Sequence, residues 1–251
     1  MMKTSIIKEY LKEFPKYYLT FDIKYTKKET DYLDNFNITK WSSFDHYGHV
    51  DNLDDNKLDD FLTNIGNNQN INILNKIIHK LADKITNSYG MKHCWLTIRV
   101  TLPHHGFDIP RWHKDGNFFK SDRTQSKFVT VLKGPGTLFI KKSKKVDEIY
   151  NKNNDEENKS YKKLKVKTMF NNKIENKYRK ILANKLSKFK HSQLKPKQGL
   201  IFLVGIDKNN NLYGLLHSEP KNDTPRIFIS ILPGSENEID ELQKRRSNKS
   251  K

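Results

Sequence analysis

The chain has little of what several common architectures need. One cysteine, Cys94, stands in 251 residues, which excludes an internal disulfide and any multi-cysteine zinc site. The longest apolar runs, such as Leu200–Gly205, are far too short to cross a bilayer. The first fourteen residues carry Lys3, Lys8, Glu9, Lys12 and Glu13 in place of a signal peptide's apolar stretch. No Gly-x-Ser-x-Gly elbow and no phosphate-binding glycine loop occurs, so hydrolase and nucleotidyl-transfer readings have no support. An intracellular protein, cytoplasmic or nuclear, is expected, neither secreted nor bound to a membrane.

Arginine is the other scarcity. Of 47 basic residues, 7 are Arg and 40 are Lys, beside 26 Asn. Lysine and asparagine have A-rich codons, so an A+T-rich genome produces this bias without selection for binding. Specific nucleic-acid sites favour arginine for its planar fork. The formal net charge of +18 is also unevenly placed. Residues 141–197 carry +13 and residues 241–251 carry +4, which leaves the remainder close to neutral. Weak, non-specific attraction of polyanions to 141–197 and the C-terminal tail is expected.

Hydrophobic residues at 35%, with 28 aromatics among them, suit a globular chain with one sizeable core. Residues 1–92 read as a mainly helical support, with short extended pieces around Tyr17–Tyr25. Its clearest helix runs from Ile71 to Tyr89, where Ile71, Leu74, Ile77, Ile78, Leu81 and Ile85 recur at helical spacing and Gly90 ends the run. From His93 the period changes to two. Cys94, Leu96, Ile98 and Val100 take one face of a strand, Trp95, Thr97 and Arg99 the other. Further strands are predicted at Phe128–Leu132, Thr137–Ile140, Gly199–Gly205, Tyr213–Leu216 and Ile227–Leu232.

The strand pattern breaks for nearly sixty residues after Ile140. Lys141–Ser160 reads as polar and mobile, and Ile174, Tyr178, Ile181, Leu182 and Phe189 mark an amphipathic helix with a lysine-rich outer face. The pieces on either side look like halves of one β-domain over 93–240, interrupted by a basic insertion at 141–197. Glu236–Arg246 reads as a short terminal helix before a basic tail, 241–251. The expected class is α+β, mainly β.

Chemistry is suggested by Trp112-His113-Lys114-Asp115. On an extended segment, residues two apart point the same way, so His113 and Asp115 can grip one metal ion from one side. Alone the motif means little, since His49-Val50-Asp51 repeats it. Context separates the two. His217 ends a strand downstream, Arg226 follows nine residues later, and Ser230 stands four beyond on the same strand face. Two histidines and one carboxylate leave three positions open on a metal, the coordination ferrous oxygenases use. A buried arginine nearby can pair with a dicarboxylate. Its competing assignment is a strand-edge arginine pairing with Glu219 or Asp223.

The order Arg99, Gly106, Pro110-Arg111-Trp112-His113-x-Asp115, Gly134-Pro135-Gly136-Thr137, Gly199, His217-Ser218-x-Pro220, Arg226-x-x-x-Ser230 resembles the iron(II)- and 2-oxoglutarate-dependent dioxygenases. The His-to-Arg interval is similar to that of the prolyl hydroxylase branch, and the individual motifs resemble an uncharacterised subgroup. The resemblance covers about residues 93–233, without the insertion. It implies a double-stranded β-helix, the jelly-roll or cupin-like barrel, with metal in one mouth. His113, Asp115 and His217 would hold Fe(II) as the catalytic metal set. Arg226 would bind the distal carboxylate of 2-oxoglutarate, with Ser230 or Thr130 adding a hydrogen bond. Hydroxylation of a substrate, with succinate and carbon dioxide as co-products, would be the activity. A protein side chain is the first substrate expected, a nucleic acid the second.

The competing hypothesis is a non-catalytic, basic nucleic-acid-binding protein on such a barrel, its metal site vestigial or structural. The two differ over Arg226, whose guanidinium the enzyme needs inside the barrel. Other candidates read as structural. His46, His49 and Asp51 look like surface, and His104-His105 a turn with one ring able to face the site entrance. Cys94 is a core thiol, and Arg99 a support for the loop carrying Gly106.

Overall fold

A computed structural model of the chain describes residues 4–13, 17–66, 69–120, 124–163, 172–206, 212 and 214–248. The sequence assignments at Met1–Lys3, at Tyr213 and at the last three residues of the tail lie outside them. The elements run α1 (Thr4–Glu13), β1 (Tyr18–Asp22), α2 (Lys27–Asn35), β2 (Ser42–His49), α3 (Asp55–Asn64), α4 (Asn72–Ser88), β3 (His93–Thr101), β4 (Gln125–Lys133) and β5 (Leu138–Ile140). After them come α5 (Lys144–Lys163), α6 (Asn172–Leu186), β6 (His191–Gln193), β7 (Gln198–Val204), β8 (Leu216–Ser218), β9 (Arg226–Gly234) and α7 (Glu236–Ser247).

Nine strands form two antiparallel sheets, in the orders β1-β7-β4-β9-β3-β2 and β6-β5-β8. The bridge between His113 and His217 lays the Trp112–His113 segment beside β8, as a further rung of the smaller sheet. This is a jelly roll, with a large and a small sheet enclosing a cavity. The expected fold class holds.

Alternation decides which side chains see that cavity. On β9, Ile227, Ile229 and Ile231 join the main core under the helices, while Arg226, Phe228 and Ser230 line the cavity. On β3, Leu96, Ile98 and Val100 pack towards the helices, and Trp95, Thr97 and Arg99 face the cavity, as the period of two predicts. A slip of one residue would exchange the two sets, so burial on the helical side fixes the register. That burial is substantial: Leu74, Ile77, Ile78, Leu81 and Ile85 of α4 are all buried, each contributing about 1.5–3 kcal/mol.

Two expectations need correction. The first ninety residues are more than a helical support, because β1 and β2 form the two edges of the large sheet. β2, Ser-Ser-Phe-Asp-His-Tyr-Gly-His, has too few apolar residues to announce a strand; its pairing with β3 makes it one. Nor is Lys141–Ser160 an irregular segment. It forms most of α5, a helix of 20 residues, which packs against α6 and buries Val146, Tyr150, Leu182 and Leu186 with Trp112 and Leu216. Lys114 anchors this hairpin, its buried Nζ lying 2.7 Å from Asp147 Oδ1 of α5 and donating to the Leu212 carbonyl at 2.9 Å.

Candidate metal centre

His113 and Asp115 sit on the segment that follows the turn at His105–Phe107, and His217 sits in β8. Backbone bonds between His113 and His217 run in both directions at 2.9 and 3.0 Å, which fixes the two rings beside each other. Their centroids are 4.2 Å apart. Together with Asp115 they form the one group of three or more His, Cys, Asp and Glu with metal-holding spacing among the described residues, with ligand atoms within 4.8 Å of one another.

The hydrogen bonds around the rings select their tautomers. His113 Nδ1 lies 2.8 Å from the Arg111 carbonyl and His217 Nδ1 lies 2.9 Å from the Leu215 carbonyl. A carbonyl can only accept, so each Nδ1 carries a proton and Nε2 is the ring atom left to serve as a ligand. That is how metal-binding histidines are oriented.

Burial, reinforced by His113, pushes the His217 imidazole down to about 4 from its ordinary 6.5, so it is neutral at physiological pH. Burial alone would raise the carboxyl of Asp115, but Lys127, His217 and His113 together hold it well below the usual carboxylate range. Lys127 Nζ sits 2.9 Å from Asp115 Oδ2. The centre therefore offers the neutral His217, the Nε2 of His113 and one anionic oxygen.

A pH dependence follows. Between pH 6.5 and 4 the unfolded chain protonates His217 and the folded chain does not, so stability falls as pH falls through that window. The expected slope reaches about 1.4 kcal/mol per pH unit. Asp115 and Glu219, both held low, stay ionised there and add their own loss only below the ordinary carboxylate values. Urea midpoints of the metal-free protein, measured across this window, should show the slope, and His217→Gln should flatten it.

A cavity of about 390 Å³ opens from the centre, lined by His113, His217, Lys127, Arg226, Phe228 and Ser230 among others. Arg226 is buried, and its Nε donates to the Pro135 carbonyl at 2.9 Å. Burial lowers its guanidinium to about 10, against the pull of Glu219, so it keeps its charge. No ion pair joins it to Glu219 or Asp223 among the described residues. Glu219 instead pairs with Arg111, and Asp223 with Lys221.

No protein-family model matches the chain, and no curated protein matches its sequence. Solved structures resemble it loosely. The prolyl-4-hydroxylase of Pseudomonas putida is 9% identical, over 91% of this chain and 97% of that one, at a TM-score of 0.40. A prolyl 4-hydroxylase from Phytophthora capsici is 13% identical over 91% of this chain and 63% of its own, at 0.42. A viral collagen prolyl hydroxylase from Paramecium Bursaria Chlorella virus-1, solved with 2OG, is 13% identical over 87% and 96%, at 0.36. At these values no residue role passes from those proteins to this chain.

The sequence-predicted set is thus largely gathered in one place: His113, Asp115 and His217 at the centre, Arg226 and Ser230 on the cavity wall. Thr130 is the exception. It pairs with Gly199 and Ile229 and so faces away from the cavity, its hydroxyl donating to the Gln198 carbonyl at 2.8 Å. Arg99 also differs from expectation. It lines the cavity and lies 3.6 Å from Asp45, while the loop around Gly106 is held by Arg179, which donates to the Gly106 and Ile109 carbonyls. His104, as expected for one of the pair, faces the cavity, and His46 and His49 stay outside the metal group.

Two further residues shape the site. Lys127 holds Asp115, and its only signal in the sequence is a cation beside the apolar run that begins at Phe128. Asp45 accepts from Trp95 Nε1 at 2.9 Å and Thr97 Oγ1 at 2.7 Å, which sets the cavity face of β3. It escaped notice because β2 itself did.

Proposed function

We propose that the chain is an Fe(II)- and 2-oxoglutarate-dependent oxygenase that hydroxylates a C–H bond of its substrate. One observation carries the reading: two histidines and an ionised carboxylate, with ligand atoms within 4.8 Å of one another, stand at the cavity whose wall holds both rings and a buried guanidinium. The donor set fits ferrous iron, which takes imidazole and carboxylate on one face and keeps three positions open. Arg226 fits a dicarboxylate, because its Nε is spent on Pro135 and its terminal nitrogens are the charge in that wall. Bound iron and 2-oxoglutarate together supply dioxygen activation. With both held there, one oxygen atom would enter the C–H bond as hydroxyl and the other would become a carboxylate oxygen of succinate, two electrons coming from that C–H bond and two from the oxidative loss of carbon dioxide.

The chain's own residues do the placing. His113 and His217 each donate Nδ1–H to a carbonyl, which leaves Nε2 as the ligand atom, and burial keeps His217 neutral at physiological pH. Lys127 fixes Asp115 through one carboxylate oxygen. Phe228 and Trp95 give the cavity apolar walls that exclude water from the reacting centre. The reading as a non-catalytic barrel lacks an observation in its favour, and Arg226, which would have spoken against the enzyme by pointing to solvent, is buried.

Anaerobic titration with Fe(II) and 2-oxoglutarate tests the proposal through the visible charge-transfer absorption of the chelate. The parent protein should develop the band, and His113→Ala should not. A folded parent that binds iron by equilibrium dialysis yet shows no band would overturn it.

A further inference from the structure

The chain uses arginine sparingly, and where it does so is not random. Each of the six arginines among the described residues lines one of three cavities around the candidate centre. Of the 40 lysines, the same cavities show two, Lys114 and Lys127. Coding bias can set the ratio of the two residues but cannot sort them by place. Arginine differs from lysine by its planar, paired donors and its affinity for flat rings.

Three of the six have evident tasks. Arg226 faces the co-substrate space, Arg111 is paired with Glu219, and Arg179 clamps a loop. The other three, Arg99, Arg245 and Arg246, line a groove of about 970 Å³ that runs past Asp115, between β3 and the end of α7. Arg99, nearly half exposed, lines both this groove and the central cavity, so the two meet there. Arg245 donates to the Phe118 carbonyl but leaves Nε buried without a hydrogen-bond partner. Arg246 lies over Trp95, 3.7 Å from the ring centroid, and Trp95 stacks on Tyr47 within 5° of parallel. The groove's two acids are engaged, Asp45 by Trp95, Thr97 and Arg99 and Asp115 by Lys127, while Arg99, Lys114, Arg245 and Arg246 all line it. A positive surplus remains.

Aromatic rings edge the cavity into which this groove leads. Trp41 is 48% exposed and packs on His104, ring centroids 4.7 Å apart. Phe107 stands beside them. An exposed indole at a cavity mouth is a stacking platform for a flat group.

The geometry points to single-stranded nucleic acid as the substrate class. Its phosphates would lie along Arg245, Arg246 and Arg99, and one base would stack at Trp41 and turn into the cavity towards the centre. A duplex keeps its bases inside the stack, out of reach. An acidic peptide would use the arginines but has no need of the aromatic edge. This reverses the substrate order expected from the sequence. It rests on the oxygenase reading for the word substrate alone; strand binding stands or falls by itself.

The test is fluorescence anisotropy of the metal-free protein with a labelled thymidylate oligomer of about twelve nucleotides, with duplex DNA and polyglutamate as competitors. The oligomer should bind, and neither competitor should displace it at equal charge. Arg245→Gln with Arg246→Gln should weaken binding at least about tenfold and flatten the dependence of log Kd on log salt by about 1.4, two contacts' worth. Arg99→Gln, on a half-exposed side chain that cannot unfold the protein, should flatten it by about 0.7. Trp41→Ala should weaken binding about tenfold with the slope unchanged. Displacement by polyglutamate, or parental affinity and slope in the arginine variants, would overturn the proposal. The parent's iron chelate band is read on the same preparation: a band without oligomer binding fails this inference alone, and oligomer binding without a band fails the oxygenase reading alone.

Discussion

Arg226→Ala should lower the affinity for 2-oxoglutarate by about 100-fold or more while Fe(II) binding persists. Truncating one partner of a buried, hydrogen-bonded charge pair costs about 2–5 kcal/mol, and each 1.4 kcal/mol is tenfold. The guanidinium is already buried and fixed through Nε to Pro135, so no ordering cost offsets the contact. The residues proposed to hold iron lie on other elements, β8 and the His113 segment, and the substitution leaves them in place. Arg226→Lys keeps the charge and loses the fork, so an intermediate loss, about tenfold, is expected. Anaerobic titrations at fixed iron, read by the chelate absorption, would check both. Equal affinity in the alanine variant would remove Arg226 from the co-substrate's binding.

Gly136→Ala should be among the most destabilising single methyl additions in the chain, at about 3 kcal/mol or more. A Cβ there would lie 1.8 Å from the Leu194 carbonyl oxygen and 2.7 Å from its carbon. Both are backbone atoms, so no rotamer change relieves the overlap. The two segments must approach this closely because Leu194 N donates to the Thr137 carbonyl at 2.9 Å and Gln193 Nε2 to the Gly136 carbonyl at 3.2 Å. Separating them also displaces Pro135, the acceptor that holds Arg226. Urea unfolding should therefore show a lower midpoint, and the folded fraction should bind 2-oxoglutarate more weakly. Gly134→Ala is a second case of the same kind, since φ is +85° and its Cβ would meet the Pro225 carbonyl at 2.5 Å. A parental midpoint in either variant would show that the turn relaxes.

Sequence reasoning succeeded where one physical constraint dominates. Strands β3 and β9 set an apolar face on the helices and turn Trp95, Thr97, Arg99, Arg226, Phe228 and Ser230 to the cavity, so their alternation was strong enough for the faces to be read. The centre was legible because His113 and Asp115 are adjacent on one extended segment and a downstream strand carries His217 and Arg226. It failed where stability comes from partners distant in the chain. β2 is polar and becomes a strand by pairing with β3; α5 has a lysine-rich outer face and owes its place to the few residues that meet Trp112 and α6. Thr130 was misassigned because a polar residue on a strand gives no sign of its face when the neighbouring residues are all apolar. Asp45 and Lys127 act on side chains far away in sequence, and no local pattern marks such a pairing.

The edges of the large sheet bear on how the chain is made. β1 pairs with β7 through partners such as Tyr18 and Phe202, 184 residues apart. At a synthesis rate of about 5–20 residues per second, the first strand waits roughly 10–40 s for its neighbour. During that interval a nascent chain displays an unpaired edge and an unfilled helical layer, the state most prone to associate with other chains. The lysine-rich segment emerges inside this interval, between β5 and β6, and raises the charge of the unfinished chain when its apolar surface is least protected. The insertion's positive charge would oppose association of such unfinished chains, an effect independent of what the finished protein binds.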